Sequence, residues 1–106
     1  MLNAIIDSGW KQKALSTIAN DLLQNVSVIL LNNGQVVGVA KIDEHGITNE
    51  GYQIKATYIN DTSNEIVYDT IVVKDRDGQP IATVSPNITS IPPYKRVSIT
   101  VLLELL

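Results

Sequence analysis

The chain of 106 residues contains no cysteine. That removes disulfides, thiolate metal sites and cysteine nucleophiles from its chemistry, and leaves the redox compartment open. Phenylalanine is also absent and Trp10 is the single tryptophan, so a core has to be built from Ile, Val and Leu. Basic residues are outnumbered, with 8 Lys and Arg against 11 Asp and Glu, a formal charge of -3 and a pI near 4.9. No Lys/Arg cluster with interleaved aromatics stands ready to neutralise phosphates or stack on bases, so nucleic-acid binding is not expected. No apolar run approaches the roughly 18 residues of a membrane-spanning helix. Residues 1–10 lack the basic and apolar regions of a signal peptide. The expectation is a soluble protein made in the cytoplasm.

What the chain does have is β-branched residues: Val, Ile and Thr make up 33 of 106 positions. Such side chains pack well on pleated surfaces and lose rotamer freedom in helices, which tilts the balance toward strand. At this length one domain over 1–106 with one core is expected. Apolar residues at Leu2, Ile6, Trp10, Ala14, Ile18 and Leu22 recur at helical spacing. Gly9 weakens the interior of such a helix, and Asp7 or Ser8 is a competent N-cap. The reading preferred is an arm over 1–6 followed by a helix to about residue 24. Two β-branched runs, 26–31 and 35–42, flank Asn32-Asn33-Gly34, a spelling that supplies the positive φ angles of a tight type I′ hairpin. The polar stretch 43–51 reads as a surface loop and 52–59 as an alternating strand. Runs 65–73 and 79–84 form a second hairpin around Asp75-Arg76-Asp77-Gly78, with Pro80 confining its later strand to an edge or bulge. The Pro-bearing segment 85–93 is expected to cross between sheets, and 94–105 to be a long final strand. The fold class expected is mainly β with one N-terminal α-helix: arm and helix over 1–24, then an antiparallel β-sandwich of about six to seven strands over 25–106.

No residue cluster spells out a reaction. Asp75, Asp77 and Gly78 look like the opening of a calcium loop, but the downstream Glu is missing and the flanks are strands, so a hairpin turn is the reading. His45 is the only histidine and stands beside Asp43 and Glu44 with no second ligand at metal spacing, which makes it a solvated loop residue. Asp43, Glu44 and Glu50 read as surface charge rather than a desolvated acid/base pair. With one histidine and no strand-turn-helix elbow, no serine or threonine nucleophile is assembled. Catalysis, cofactors and metals are therefore not expected. Glycosylation sequons occur at Asn25, Asn60 and Asn87 and are taken as chance in a chain with nine Asn. Leucines on both faces of the last strand require burial within a sandwich or cover from a neighbouring chain.

The helix opening Asp7-Ser8-Gly9-Trp10-Lys11 is followed by hairpins. Then come Glu65-Ile66-Val67, Ile71-Val72-Val73, Asp75-Arg76-Asp77-Gly78, Ile81-Ala82-Thr83, Ile91-Pro92-Pro93-Tyr94-Lys95 and Val97-Ser98-Ile99-Thr100-Val101. This order resembles the N-terminal domains of phage tail-fibre and related virion attachment proteins. The middle departs from that pattern, with Val36-Val37-Gly38-Val39-Ala40 where the family has a Gly-rich strand and Tyr68-Asp69-Thr70-Ile71-Val72 in place of its Glu-x-Gly-Leu-Phe-like core. The resemblance implies a non-enzymatic virion structural protein, tail, baseplate or capsid-associated, that forms a symmetric homo-oligomer and docks on other virion proteins. Contact residues expected on that reading are Leu2, Ile5, Ile6 and Trp10 at one end and Leu102, Leu103, Leu105 and Leu106 at the other. The alternative is a free immunoglobulin-like or jelly-roll module that recognises a peptide or glycan through loops 43–51 and 85–93, with Tyr52 and Tyr94 as the available aromatics. A small enzyme or regulatory subunit would instead need perturbed carboxylates around His45.

Overall fold

The computed structural model describes residues 2–5, 26–48 and 51–104. The expected helix over 7–24, with Trp10, lies outside the described residues, as do Ile6, Asn25, Leu105 and Leu106. The described residues are mainly β: β1 (Leu2–Ile5), β2 (Ser27–Asn32), β3 (Gln35–Thr48), β4 (Gly51–Ile59), β5 (Ile66–Tyr68), β6 (Thr70–Lys74), β7 (Pro80–Val84), β8 (Thr89–Ile91) and β9 (Arg96–Glu104). Seven strands form one sheet in the order β1-β9-β4-β3-β2-β6-β7, and β5 pairs with β8 in a small second sheet. All pairings are antiparallel except β1 with β9, which run parallel from Leu2↔Val101 to Ile5↔Glu104. The arm is thus a strand of the fold, with Ala4 buried and Leu2 packed on the core.

The large sheet curls until β1 comes alongside β7 from the opposite end of the order. Two bulges lie in the ladders of β3, where an extra residue on one strand sharpens local twist. One lies between Leu30 and Leu31 in the β2–β3 register and leaves Val37 unpaired; the other spans Ile42 to Glu44 against β4. Strand β3 pairs with β2 up to Ala40 and with β4 from Lys41 onward. Where β3 and β4 part, the Tyr58 ring lies on Gly38, so that a Cβ there would stand 2.5 Å from the ring.

Three readings made from the sequence are corrected. Where it is described, the stretch 43–51 is not a loop: 43–48 is the second half of β3 and Gly51 opens β4, paired from Lys41↔Thr57 to Thr48↔Gly51. Its polar side chains are met across the ladder, Glu44 by Lys55 at 3.6 Å and Asp43 by the Thr57 hydroxyl, which donates at 2.5 Å. The run 65–73 is two strands, since the chain breaks at Asp69 and sends β5 to β8 but β6 to β2 and β7. The sandwich of separate sheets is one curled sheet with a small two-stranded sheet beside it. The two tight turns stand where they were read, joining β2 to β3 and β6 to β7. Asn33 and Gly34 have φ of 52° and 79°, the pair a type I′ turn demands. In the second, Pro80 opens β7, the outermost strand of the order, beside a register shift.

The core fills the inside of the curl. Val28 and Leu30 from β2, Ile54 from β4, Ile71 and Val73 from β6, Ile81 from β7 and Val101 and Leu103 from β9 are fully buried. Each contributes on the order of 2 kcal/mol of apolar burial. Strand β9 is hydrogen-bonded on both edges and buried on both faces, with Val101, Leu102 and Leu103 at 0%, 3% and 0% exposure. Its leucines are covered within the single chain.

Candidate functional site

His45 stands on β3 rather than in a loop and is hydrogen-bonded through Nδ1 to the Tyr52 hydroxyl, with ring centroids 5.8 Å apart. Tyr52 is buried and desolvation pushes its pKa upward. This pair joins β3 to β4 near the hairpin end. It takes Tyr52 out of use as an exposed aromatic platform.

At the other end of β4, Asn60 organises a second cluster. It has no exposed surface. Its Nδ2 donates to the carbonyls of Asn64, Ile91 and Pro92 at 2.8, 3.0 and 3.2 Å. Its Oδ1 accepts from the Thr62 amide at 3.0 Å and the Thr62 hydroxyl at 2.6 Å, and its own amide donates to the Lys95 carbonyl at 2.8 Å. A side-chain amide has two donor hydrogens and one acceptor oxygen, so both polar atoms of the Asn60 side chain are engaged. The sequon asparagine is thereby withdrawn from solvent. The network ties the 60–65 loop to the turn Pro92-Pro93-Tyr94-Lys95, which closes through the Lys95 amide donating to Pro92 O at 3.2 Å.

Tyr94 occupies that turn with φ of 61° and 70% of its surface exposed. A left-handed conformation is unfavourable for a bulky L-residue and persists only where its surroundings over-determine the backbone. Two prolines before it and the Asn60 bonds on both flanks do so here. Ile59, 58% exposed, pairs with Arg96 across the β4–β9 ladder and lies beside the turn.

A third feature is the outer face of β3, β2 and β6. Val39 pairs with Ile29 and Ile29 with Val72, while Val36 pairs with Leu31, so these five apolar side chains share one face, outside the core cluster. Val36 and Val39 are 62% and 57% exposed. Plain alternation would place residues three apart on opposite faces; the bulge at Val37 brings Val36 and Val39 together.

Of the contact residues expected from the sequence, Leu2, Leu102 and Leu103 are placed in or against the fold, Ile5 ends β1, and Ile6, Trp10, Leu105 and Leu106 lie outside the described residues. Sequence reasoning does not single out Ile59, Val36 or Val39, and it names Asn60 only as a sequon. The signals present were Asn-Asp-Thr, read as a sequon instead of an Asx turn, and a β-branched run whose bulge leaves no local mark. A scan against protein-family models and searches of curated proteins and of solved structures find no match to this chain.

Proposed function

We propose that this chain is a non-enzymatic structural protein of a virion, a tail, baseplate or capsid-associated component that assembles with copies of itself and with other virion proteins. The observation that carries the assembly reading is the exposure of Val36 and Val39 on the outer face, where half-buried Ile29 and Leu31 and buried Val72 lie beside them. A sheet face bearing bare valines at adjacent strand positions gains by being covered, and contiguous exposed apolar patches mark interaction sites. The virion setting comes from the resemblance of segment order set out above. Removing 102–106 cannot test assembly, because Leu102 and Leu103 belong to the fold. The test is molar mass by light scattering across a dilution series for the wild-type chain and for Val36→Lys/Val39→Lys. A symmetric oligomer larger than a dimer that is lost or reduced in the variant supports the reading. A wild-type monomer at every concentration sinks it and favours a free binding module presenting Tyr94.

A further inference from the structure

The turn between β2 and β3 holds a reactive pair of residues. Asn33 is the only one of the nine asparagines that is followed by glycine. That spelling serves the type I′ turn, with φ of 52° at Asn33 and 79° at Gly34. It also sets a side-chain amide next to a main-chain nitrogen that no Cβ shields. Both residues are exposed, and the space where a Gly34 Cβ would stand is open. Among the described residues no hydrogen bond engages the Asn33 side chain or the Gly34 amide. Asn60 is the opposite case, buried and bonded through both polar atoms of its side chain. Every other asparagine precedes a residue whose Cβ crowds the nitrogen.

From this arrangement we infer that Asn33 is a site of spontaneous covalent modification, and that the change loosens the β2–β3 hairpin. The Gly34 amide gives its proton to hydroxide, and its nitrogen bonds to Asn33 Cγ. The bond from Cγ to the side-chain nitrogen breaks, and ammonia leaves with a proton taken from water. The cyclic imide left behind adds water at either of its carbonyls. One opening leaves aspartate at position 33; the other leaves isoaspartate, with the main chain running through the former side chain. Water is the only co-reactant, and nothing is oxidised or reduced.

The consequence for the hairpin follows from Asp69, which clamps the turn. Its Oδ2 accepts from the Asn33 amide at 3.2 Å, and its own amide donates to the Leu31 carbonyl at 2.9 Å. Both products add a carboxylate to a turn already held by one, and like charges sharing a site disfavour each other. Isoaspartate also lengthens the main chain inside a two-residue turn whose geometry sets the strand register. That register is Asn32↔Gln35 and Leu31↔Val36, so the disturbance falls on the end of the hairpin that carries Val36.

The test holds the folded 106-residue chain in mildly alkaline buffer beside a urea-unfolded sample and follows all nine asparagines by peptide mass spectrometry. In the folded chain, conversion is expected first and chiefly at Asn33, with release of ammonia and a mixture of aspartyl and isoaspartyl peptides. The converted fraction is expected to melt at a lower temperature than fresh protein. Asn33→Gly, which keeps the φ requirement of the turn, is expected to hold its melting temperature through the same treatment. A folded chain left intact at Asn33 while the unfolded sample converts there overturns the inference, as does faster conversion at another asparagine. Conversion that leaves the melting temperature unchanged overturns the coupling to the hairpin. None of these outcomes depends on whether the chain assembles.

Discussion

Asn60 shows how one buried polar side chain can set the geometry of three chain segments. Its bonds to Asn64, Ile91, Pro92 and Thr62, together with the main-chain amide of Asn60 on the Lys95 carbonyl, hold a loop, a short strand and a strained turn in register. Asn60→Ala leaves the buried Ile91 carbonyl, and those of Asn64 and Pro92 beside it, without this donor and is expected to cost about 3 kcal/mol in urea unfolding, well above the typical surface substitution. Loss of under about 0.5 kcal/mol would show that water replaces these bonds. Tyr52 carries a different consequence. Burial raises its pKa above the usual value of 10.0, so at alkaline pH the folded chain keeps a proton that the unfolded chain has released. Stability is then lost as pH rises from about 10 through the folded-state value. Tyr52→Phe is expected to lower stability at neutral pH, by removing the bond to His45, and to flatten the alkaline decline. Denaturant midpoints between about pH 8 and about pH 11 check both, and an unchanged slope would assign the decline elsewhere.

At the scale of elements, the two hairpins were legible because their turns are local chemistry. Asn33-Gly34 meets the φ requirement of a type I′ turn, and Asp75 Oδ1 accepts from the amides of Asp77 and Gln79 to close the second turn. The hairpin through His45 was not legible. Its strand character comes from pairing with β4, where Glu44–Lys55 and Asp43–Thr57 contacts satisfy polar side chains on the exposed face. Propensity speaks for neither, since strand preference is largely set by cross-strand neighbours. Gly38 belongs to the same account. Nothing local marks it, yet the Tyr58 ring takes the space a side chain would need where β3 and β4 diverge. Gly38→Ala is expected to destabilise by about 1–3 kcal/mol through displacement of that ring. Alanine at 38 without loss of stability, measured by thermal unfolding, would mean that Tyr58 moves aside freely.

The whole molecule is elongated, with extents of 45 × 25 × 22 Å, and its opposite sheet ends, β1 and β7, are brought together by the curl. Assembly belongs to this scale, because it depends on which faces remain bare once the curl has closed on its core. The final strand illustrates the point. Its leucines looked like a demand for a neighbouring subunit, but the N-terminal strand β1 and β4 flank β9 and both of its faces are buried. Among the described residues, bare apolar side chains stand at Val36 and Val39 on one face and at Ile59 and Tyr94 at one end, while Ile6, Trp10, Leu105 and Leu106 lie outside the described residues.

The sequence by itself determined the strand-rich class, the aliphatic core and the two tight turns, because β-branching, alternation and turn spelling act over a few residues. Only the tertiary structure decided the partner change within β3, the parallel closure of β1 on β9, the burial of Asn60 and the exposure of Tyr94 in a left-handed turn. Each of these depends on atoms distant in the chain meeting in space, and a bulge of one residue is enough to exchange the inner and outer faces of a strand.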